Sequence, residues 1–162
     1  RIAWFKVYHP LAFYAAYFSI RAKAFDLRIM TGDLKTQMTE FNRIKALDRG
    51  ASPKDKDLMS ALEVSMEMYQ RGYRFVNVDI QHSEARRFSI KDGALLPPFL
   101  AIDSLGETVA DAIVAEREER PFTSLKDLQR RCKVSNTIID LMKELKCCGE
   151  LPEDEQMSLF GA

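Results

Sequence analysis

Apolar residues recur at helical spacing along most of this chain and at strand-like spacing over one stretch. Leu34, Met38, Phe41, Ile44 and Leu47 lie four and three apart, the stripe of an amphipathic helix that ends at Gly50. Ser52-Pro53-Lys54-Asp55 opens another, with a hydroxyl cap, proline in the first turn and a carboxylate near the positive end of the dipole. Its stripe is Leu58, Leu62, Met66 and Tyr69, and Gly72 stops it after Arg71. Upstream, Trp4, Phe5, Tyr8, Phe13, Tyr14, Tyr17 and Phe18 crowd around a His9-Pro10 joint. That pattern predicts the end of one helix, then a helix over 11–22 that is apolar almost all round. Helices of that kind are buried, so these aromatics are expected in a core rather than on a base-stacking platform.

The period then changes. Phe75, Val76, Val78 and Ile80 predict a short strand and residues 86–90 a second, with Lys91-Asp92-Gly93 as a tight turn leading to Leu95 and Leu96. Three short helices are expected after Pro97-Pro98. The first covers about 107–120 and stops at Pro121; the second is capped by Thr123 or Ser124. The third is capped by Ser135, carries Ile138, Ile139, Met142 and Leu145, and stops at Gly149. From Leu151 onward periodicity is lost and a mobile tail is expected. The expected fold is mainly α with a small β element: a helical first part, a short β-hairpin, a second helical part and the tail.

Composition narrows the classes. With 46% hydrophobic residues and balanced charge, 24 basic against 24 acidic, the chain has the makings of a core and is not disordered throughout. The longest unbroken apolar run, residues 11–18, is far short of the roughly 20 residues that cross a bilayer, so no membrane partner is expected. Cys132, Cys147 and Cys148 form no CxxC pair, and His9 and His82 are the only histidines. Reduced thiols in an intracellular protein are therefore expected, and no metal site. The chain starts at Arg1 with an amphipathic stretch rather than a signal peptide, and reads as a piece of a longer polypeptide. The charge is uneven: residues 1–100 carry 16 basic and 11 acidic side chains (net +5), 101–150 carry 8 and 10 (net −2), and 151–162 carry 0 and 3 (net −3). A basic face is thus available mainly in the first part, and only a modest one.

Two features carry candidate chemistry. Ile102-Asp103-Ser104-Leu105-Gly106-Glu107-Thr108-Val109-Ala110 is a turn opening into an apolar-striped helix. It approximates a helix-hairpin-helix turn, in which backbone N–H groups at a helix N-terminus bind a DNA phosphate without needing a lysine. Ser104, Leu105, Gly106, Glu107 and Thr108 are the candidate phosphate-binding residues, Thr108 offering a hydroxyl as well. Serine stands where the motif has its first glycine, and serine resists the left-handed backbone that glycine adopts freely. The second feature is the terminal Gln156-Met157-Ser158-Leu159-Phe160. An aliphatic and an aromatic anchor at the end of an acidic tail suit an extended peptide that fills a partner's pocket.

On these and further residues the chain resembles the C-terminal end of the PolC-type DNA polymerase III alpha subunit family. The resemblance is carried by Trp4-Phe5-Lys6-Val7-Tyr8-His9-Pro10-Leu11, Tyr14-Ala15-Ala16-Tyr17-Phe18, Leu95-Leu96-Pro97-Pro98-Phe99, Leu105-Gly106, Ala115-Glu116-Arg117-Glu118-Glu119, Lys133-Val134-Ser135 and the Gln-x-Ser-Leu-Phe ending. It implies that residues 1–73 belong to the polymerase fingers and 74–150 to a duplex-DNA-binding region with helix-hairpin-helix elements. Residues 151–162 would be a flexible tail whose Gln156, Met157, Leu159 and Phe160 bind the sliding clamp. The partners so implied are primer-template DNA, the clamp and the rest of the polymerase chain, in the bacterial cytoplasm at the nucleoid. The family's nucleotidyl transfer uses Mg²⁺ held by palm carboxylates. No catalytic residue, metal ligand or cofactor is expected in this piece, since its aspartates are scattered over caps and loops. Two other readings compete: a helix-hairpin-helix subunit of a DNA-repair nuclease, and a structural interaction module whose hairpin only packs helices.

Overall fold

A computed structural model of the chain describes residues 1–154. Helices α1 (Ile2–Tyr8) and α2 (Pro10–Ile20) meet at His9, and Pro10 begins α2 as the joint required. After a 3-10 turn, α3 (Leu27–Met30) starts at Asp26, whose carboxylate accepts the N–H groups of Arg28 and Ile29. Asp33 caps α4 (Leu34–Leu47) in the same way. Ser52 and Asp55 form a reciprocal capping box at the start of α5 (Pro53–Gln70). Strands β1 (Ser89–Lys91) and β2 (Ala94–Leu96) make an antiparallel hairpin, with Ser89 opposite Leu96. Its turn residues Asp92 and Gly93 both have positive φ (50° and 74°), the twist that two-residue hairpins favour. Helices α6 (Glu107–Glu119), α7 (Leu125–Cys132) and α8 (Asn136–Glu144) complete the described chain.

The strand expected over 75–80 is absent. Phe75 makes one parallel bridge to Leu95, where the Val76 N–H donates to the Leu95 carbonyl at 2.9 Å. Beyond that point the segment bonds elsewhere: Asn77 donates to the Leu145 and Lys146 carbonyls, and the Ile80 N–H to the Cys147 carbonyl. Its extended shape serves to tie down the end of α8 rather than to widen a sheet. The second strand falls at 89–91 rather than 86–90, because Arg86 turns out to ion pairs on α6. Helix α8 stops at Glu144, ahead of the expected Gly149, and Lys146 takes a left-handed φ of 57°.

The aromatic stretch also divides. Tyr14 and Phe18 are fully buried, but α1 buries none of its residues, leaving Trp4 57% and Tyr8 64% exposed. Phe18 and Phe25 meet Phe75 and Phe88 edge-on or tilted, at centroid distances of 4.9 to 5.8 Å, so residues on either side of position 73 share one core. Side chains of this size bury about 150–250 Å² each and dominate such a core. The Ser19 hydroxyl, bonded to the Phe88 N–H, pins the β-hairpin to α2. On α4 the buried face is centred on Gln37 and Ile44, while Met38 and Leu47 point outward. Gln37 is accommodated because it donates to the Met30 carbonyl and accepts from Ser65.

Candidate nucleic-acid interface

Ile102 and Leu105 are the apolar feet of the first hairpin, both buried against the core. Between them Ser104 takes φ 64°, the left-handed conformation that the missing glycine would adopt. The Leu105 N–H closes the turn on the Ile102 carbonyl at 3.2 Å. Gly106 is the N-cap of α6, with φ −78° and ψ 162°, and no side chain caps the helix. The Ala110 N–H reaches back to the Gly106 carbonyl. The N–H groups of Glu107, Thr108 and Val109 therefore meet no acceptor among the described residues, as free amides at a helix start do. A Cβ placed on Gly106 would meet nothing within 4 Å. The fold itself does not require glycine at 106; its effect is to leave the approach to the amides clear.

Of the five sequence candidates, Ser104, Gly106, Glu107 and Thr108 stand exposed together at this turn. Leu105 turns inward and its N–H is engaged, so its part is to anchor the hairpin. The Glu107 carboxylate beside the amides is held by Arg86 at 3.2 Å and Lys23 at 3.5 Å. Arg86 also grips Asp111, and its hydrogen bond and charge hold that carboxyl below the usual range. A groove of about 670 Å³ lies against the turn, and Lys23, Arg28 and Lys54 stand on its walls.

The sequence reading missed a second hairpin of the same build between α7 and α8. Lys133 takes φ 54°, Val134 is buried and Ser135 is the N-cap, with φ −69° and ψ 156°. Residue for residue, Ser104-Leu105-Gly106-Glu107-Thr108 corresponds to Lys133-Val134-Ser135-Asn136-Thr137. Asp111 corresponds to Asp140, and buried Ala110 and Ile113 to buried Ile139 and Met142. The signal is an apolar–x–x–Thr–apolar–apolar–Asp pattern that begins at Leu105 and is repeated 29 positions on at Val134. At the N-cap the two hairpins differ: Ser135 accepts the Ile138 N–H, filling one donor that the first hairpin leaves open.

Lys126, Arg130 and Lys133 line the outer side of α7. Arg131 faces inward and clamps Asp127, whose side chain is 0% exposed, and Glu116. Burial acts to raise the Asp127 pKa, but the Thr123 N–H, Arg131 and Arg130 outweigh it and hold the carboxyl below its ordinary value. The thiols are buried, which pushes Cys132 and Cys148 up to about 11 and Cys147 to about 12, so at neutral pH they are neutral packing groups.

Among the described residues no group of His, Cys, Asp or Glu is arranged to hold a metal ion. Asp26, Asp33 and Asp55 cap helices, and Asp79 pairs with His82 and Lys91. The described side chains do not fit the Mg²⁺ that the resemblance implies for the parent polymerase. No described helix is long and apolar enough to cross a membrane. Gln156, Met157, Leu159 and Phe160 lie outside the described residues.

Comparison with known proteins agrees with this geometry. The chain is 44% identical over 160 residues to a DNA polymerase III PolC-type of Caldanaerobacter subterraneus subsp. tengcongensis. It is 46% identical over 163 residues to one of Streptococcus suis and 44% identical to one of Streptococcus pyogenes. Each alignment covers 99% of this chain and 11% of the relative, so the chain spans about a ninth of the length of the proteins it matches. Residues 72–156, which contain both hairpins, match the family described as helix-hairpin-helix motif. With more than half of its length matched, the chain belongs to the helix-hairpin-helix family.

Proposed function

We propose that this chain is the duplex-gripping and clamp-tethering part of a PolC-type replicative polymerase. The observation that carries the reading is the first hairpin: a left-handed residue, an uncapped glycine with open space before it, and three free amides at the start of a 13-residue helix. Amides and dipole together favour one phosphate oxygen, and the second hairpin offers a similar turn further along the chain. Contacts of this kind read backbone and not bases, which suits an enzyme that must hold every sequence it copies.

In this reading residues 1–73 belong to the fingers and 74–150 to the duplex-binding region. The exposed apolar side of α1, with Ile2, Trp4 and Val7, packs on the rest of the polymerase chain. Nucleotidyl transfer with Mg²⁺ belongs to that rest, and this piece is not catalytic by itself. Gln156, Met157, Leu159 and Phe160 bind the sliding clamp, so a polymerase that lets go of primer-template DNA rebinds before it is lost. The whole operates in the bacterial cytoplasm, at the nucleoid. Fluorescence anisotropy on duplexes of unrelated sequence tests the duplex reading. Equal affinities are expected, with log K falling against log salt at a slope of about −2 to −4 for two to four phosphates. Strong base preference or indifference to salt would refute it. Cleavage of branched DNA in magnesium would instead favour the nuclease reading.

A further inference from the structure

We infer that the outer side of α7 is a phosphodiester-binding groove, and that the chain's own Glu153 and Asp154 occupy it until nucleic acid displaces them. The inference rests on the duplex reading above and adds a means of regulation to it. Residues 151–154 fold back across the start of α7. The Leu125 N–H donates to the Pro152 carbonyl at 2.8 Å and the Lys126 N–H to the Glu153 carbonyl at 3.2 Å. Two ion pairs reinforce this return: Lys126 with Asp154 and Lys143 with Glu153, each at 2.5 Å.

Asp154 thereby lies in an open groove of about 480 Å³ whose other walls are Lys126, Asp127, Gln129 and Arg130. Asp127 is turned inward and neutralised by arginines, so the face the groove presents is cationic. Lys126 and Arg130 stand four residues apart, a step of about 6 Å along the helix, and Lys133 follows three residues on at its C-cap, so the three make one stripe. That stripe ends at the second hairpin. A strand whose phosphate sits at the Lys133 turn therefore meets Arg130 and then Lys126 as it continues along α7. A carboxylate and a phosphodiester offer the same anionic oxygens to these donors, so the two compete for one place.

The balance favours exchange. Both ion pairs are exposed, with side-chain exposures of 68% and 39% for one and 42% and 70% for the other, and pairs in water hold weakly. A nucleic-acid strand brings several phosphates and releases counterions, which the acidic strap does not. By linkage, anything that draws the chain end away from α7 tightens duplex binding to the same degree.

The test compares the wild-type chain, Glu153→Gln/Asp154→Asn, and a control of equal charge change, Glu63→Gln/Asp92→Asn, on a mixed-sequence duplex. The control sites are exposed, on α5 and in the β turn. The strap variant is expected to bind about three- to tenfold more tightly than wild type, and the control less than about twofold. In wild type, the Glu153 and Asp154 amide resonances are expected to move to random-coil positions as duplex saturates the protein. Wild-type binding with no gain in the strap variant beyond the control, or with unmoved resonances, overturns the strap and leaves the duplex reading standing. Failure of all three proteins to bind duplex overturns both.

Discussion

Replacing Ser104 by glycine should stabilise the fold, although a hydroxyl side chain is removed. Ser104 sits at φ 64°, where an L-residue pays roughly 1–2 kcal/mol for its Cβ against the following carbonyl. Glycine escapes that strain but gains about 0.5–1 kcal/mol of extra freedom in the unfolded chain. The side chain is exposed and makes no hydrogen bond to the described residues, so little packing is lost. The net is a gain of about 0.5–1 kcal/mol, or a rise of roughly 1–4 °C in Tm for a chain of this size. Urea melts followed by circular dichroism read the difference. Ser104→Val should move the other way by about 1–2 kcal/mol, since a β-branched residue is disfavoured at positive φ. Loss of stability in the glycine variant, or none in the valine variant, would mean that residue 104 is not left-handed and would remove the structural basis for a phosphate-binding turn.

Three further outcomes are expected. Calorimetry against a bacterial sliding clamp should show binding by the full chain and none by a version ending at Glu155; equal binding by both would dismiss Leu159 and Phe160 as anchors. Asp127→Ala should cost about 2–3 kcal/mol, because it removes a fully buried carboxylate that accepts the Thr123 N–H and leaves Arg131 paired with Glu116 alone. The Asp127 carboxyl has a folded-state pKa below its unfolded value, so its contribution is fully present above the unfolded pKa of about 3.9 and is lost as pH falls through the lower folded value. The gap between wild type and Asp127→Ala in urea midpoint should accordingly close in strong acid, and a gap that stayed constant would contradict the assignment. With thiol pKa values of about 11 to 12, a disulfide reagent at pH 8 should label none of the three cysteines quickly until urea unfolds the chain; rapid labelling of the native protein would show a cysteine outside the core.

Helix starts were the most legible feature of the sequence. Ser52, Ser124 and Ser135 act as caps because the cap is a local interaction, complete within four residues. The strand over 75–80 was misread because apolar alternation reports a half-buried extended segment, not the partner of its amides, and here that partner is the end of α8. The aromatic stretch was over-assigned to the core because composition gives an apolar surface without saying which element covers it; α1 meets α2 and little else. On α4 Phe41 and Ile44 face the core as the stripe predicts, but Gln37 takes the place expected of Met38, since a buried glutamine with two partners is invisible to a hydrophobicity pattern.

The first hairpin is legible through its apolar–Gly ending, Leu105-Gly106, despite Ser104. The second escaped because Lys133 and Ser135 stand where the motif's glycines would be. Two non-glycine residues at positive φ, at matching places in two hairpins, show that the backbone turn is set by the buried anchors Leu105 and Val134 as much as by glycine. Loss of periodicity predicts a mobile tail from Leu151, yet its first residues are held by main-chain bonds to α7 that no local pattern announces.

Gly106→Val shows whether the open space before Gly106 admits a phosphate. The valine fits: φ is −78° and its Cβ meets no neighbour, while a poorer N-cap and a stiffer unfolded chain offset each other to within about 0.5–1 kcal/mol. Duplex affinity measured beside a melting curve separates binding from folding. The melt should stay nearly unchanged and the affinity should fall by about tenfold or more, the loss of one charge-assisted contact. An unchanged melt with unchanged affinity would show that the hairpin packs helices and does not hold DNA.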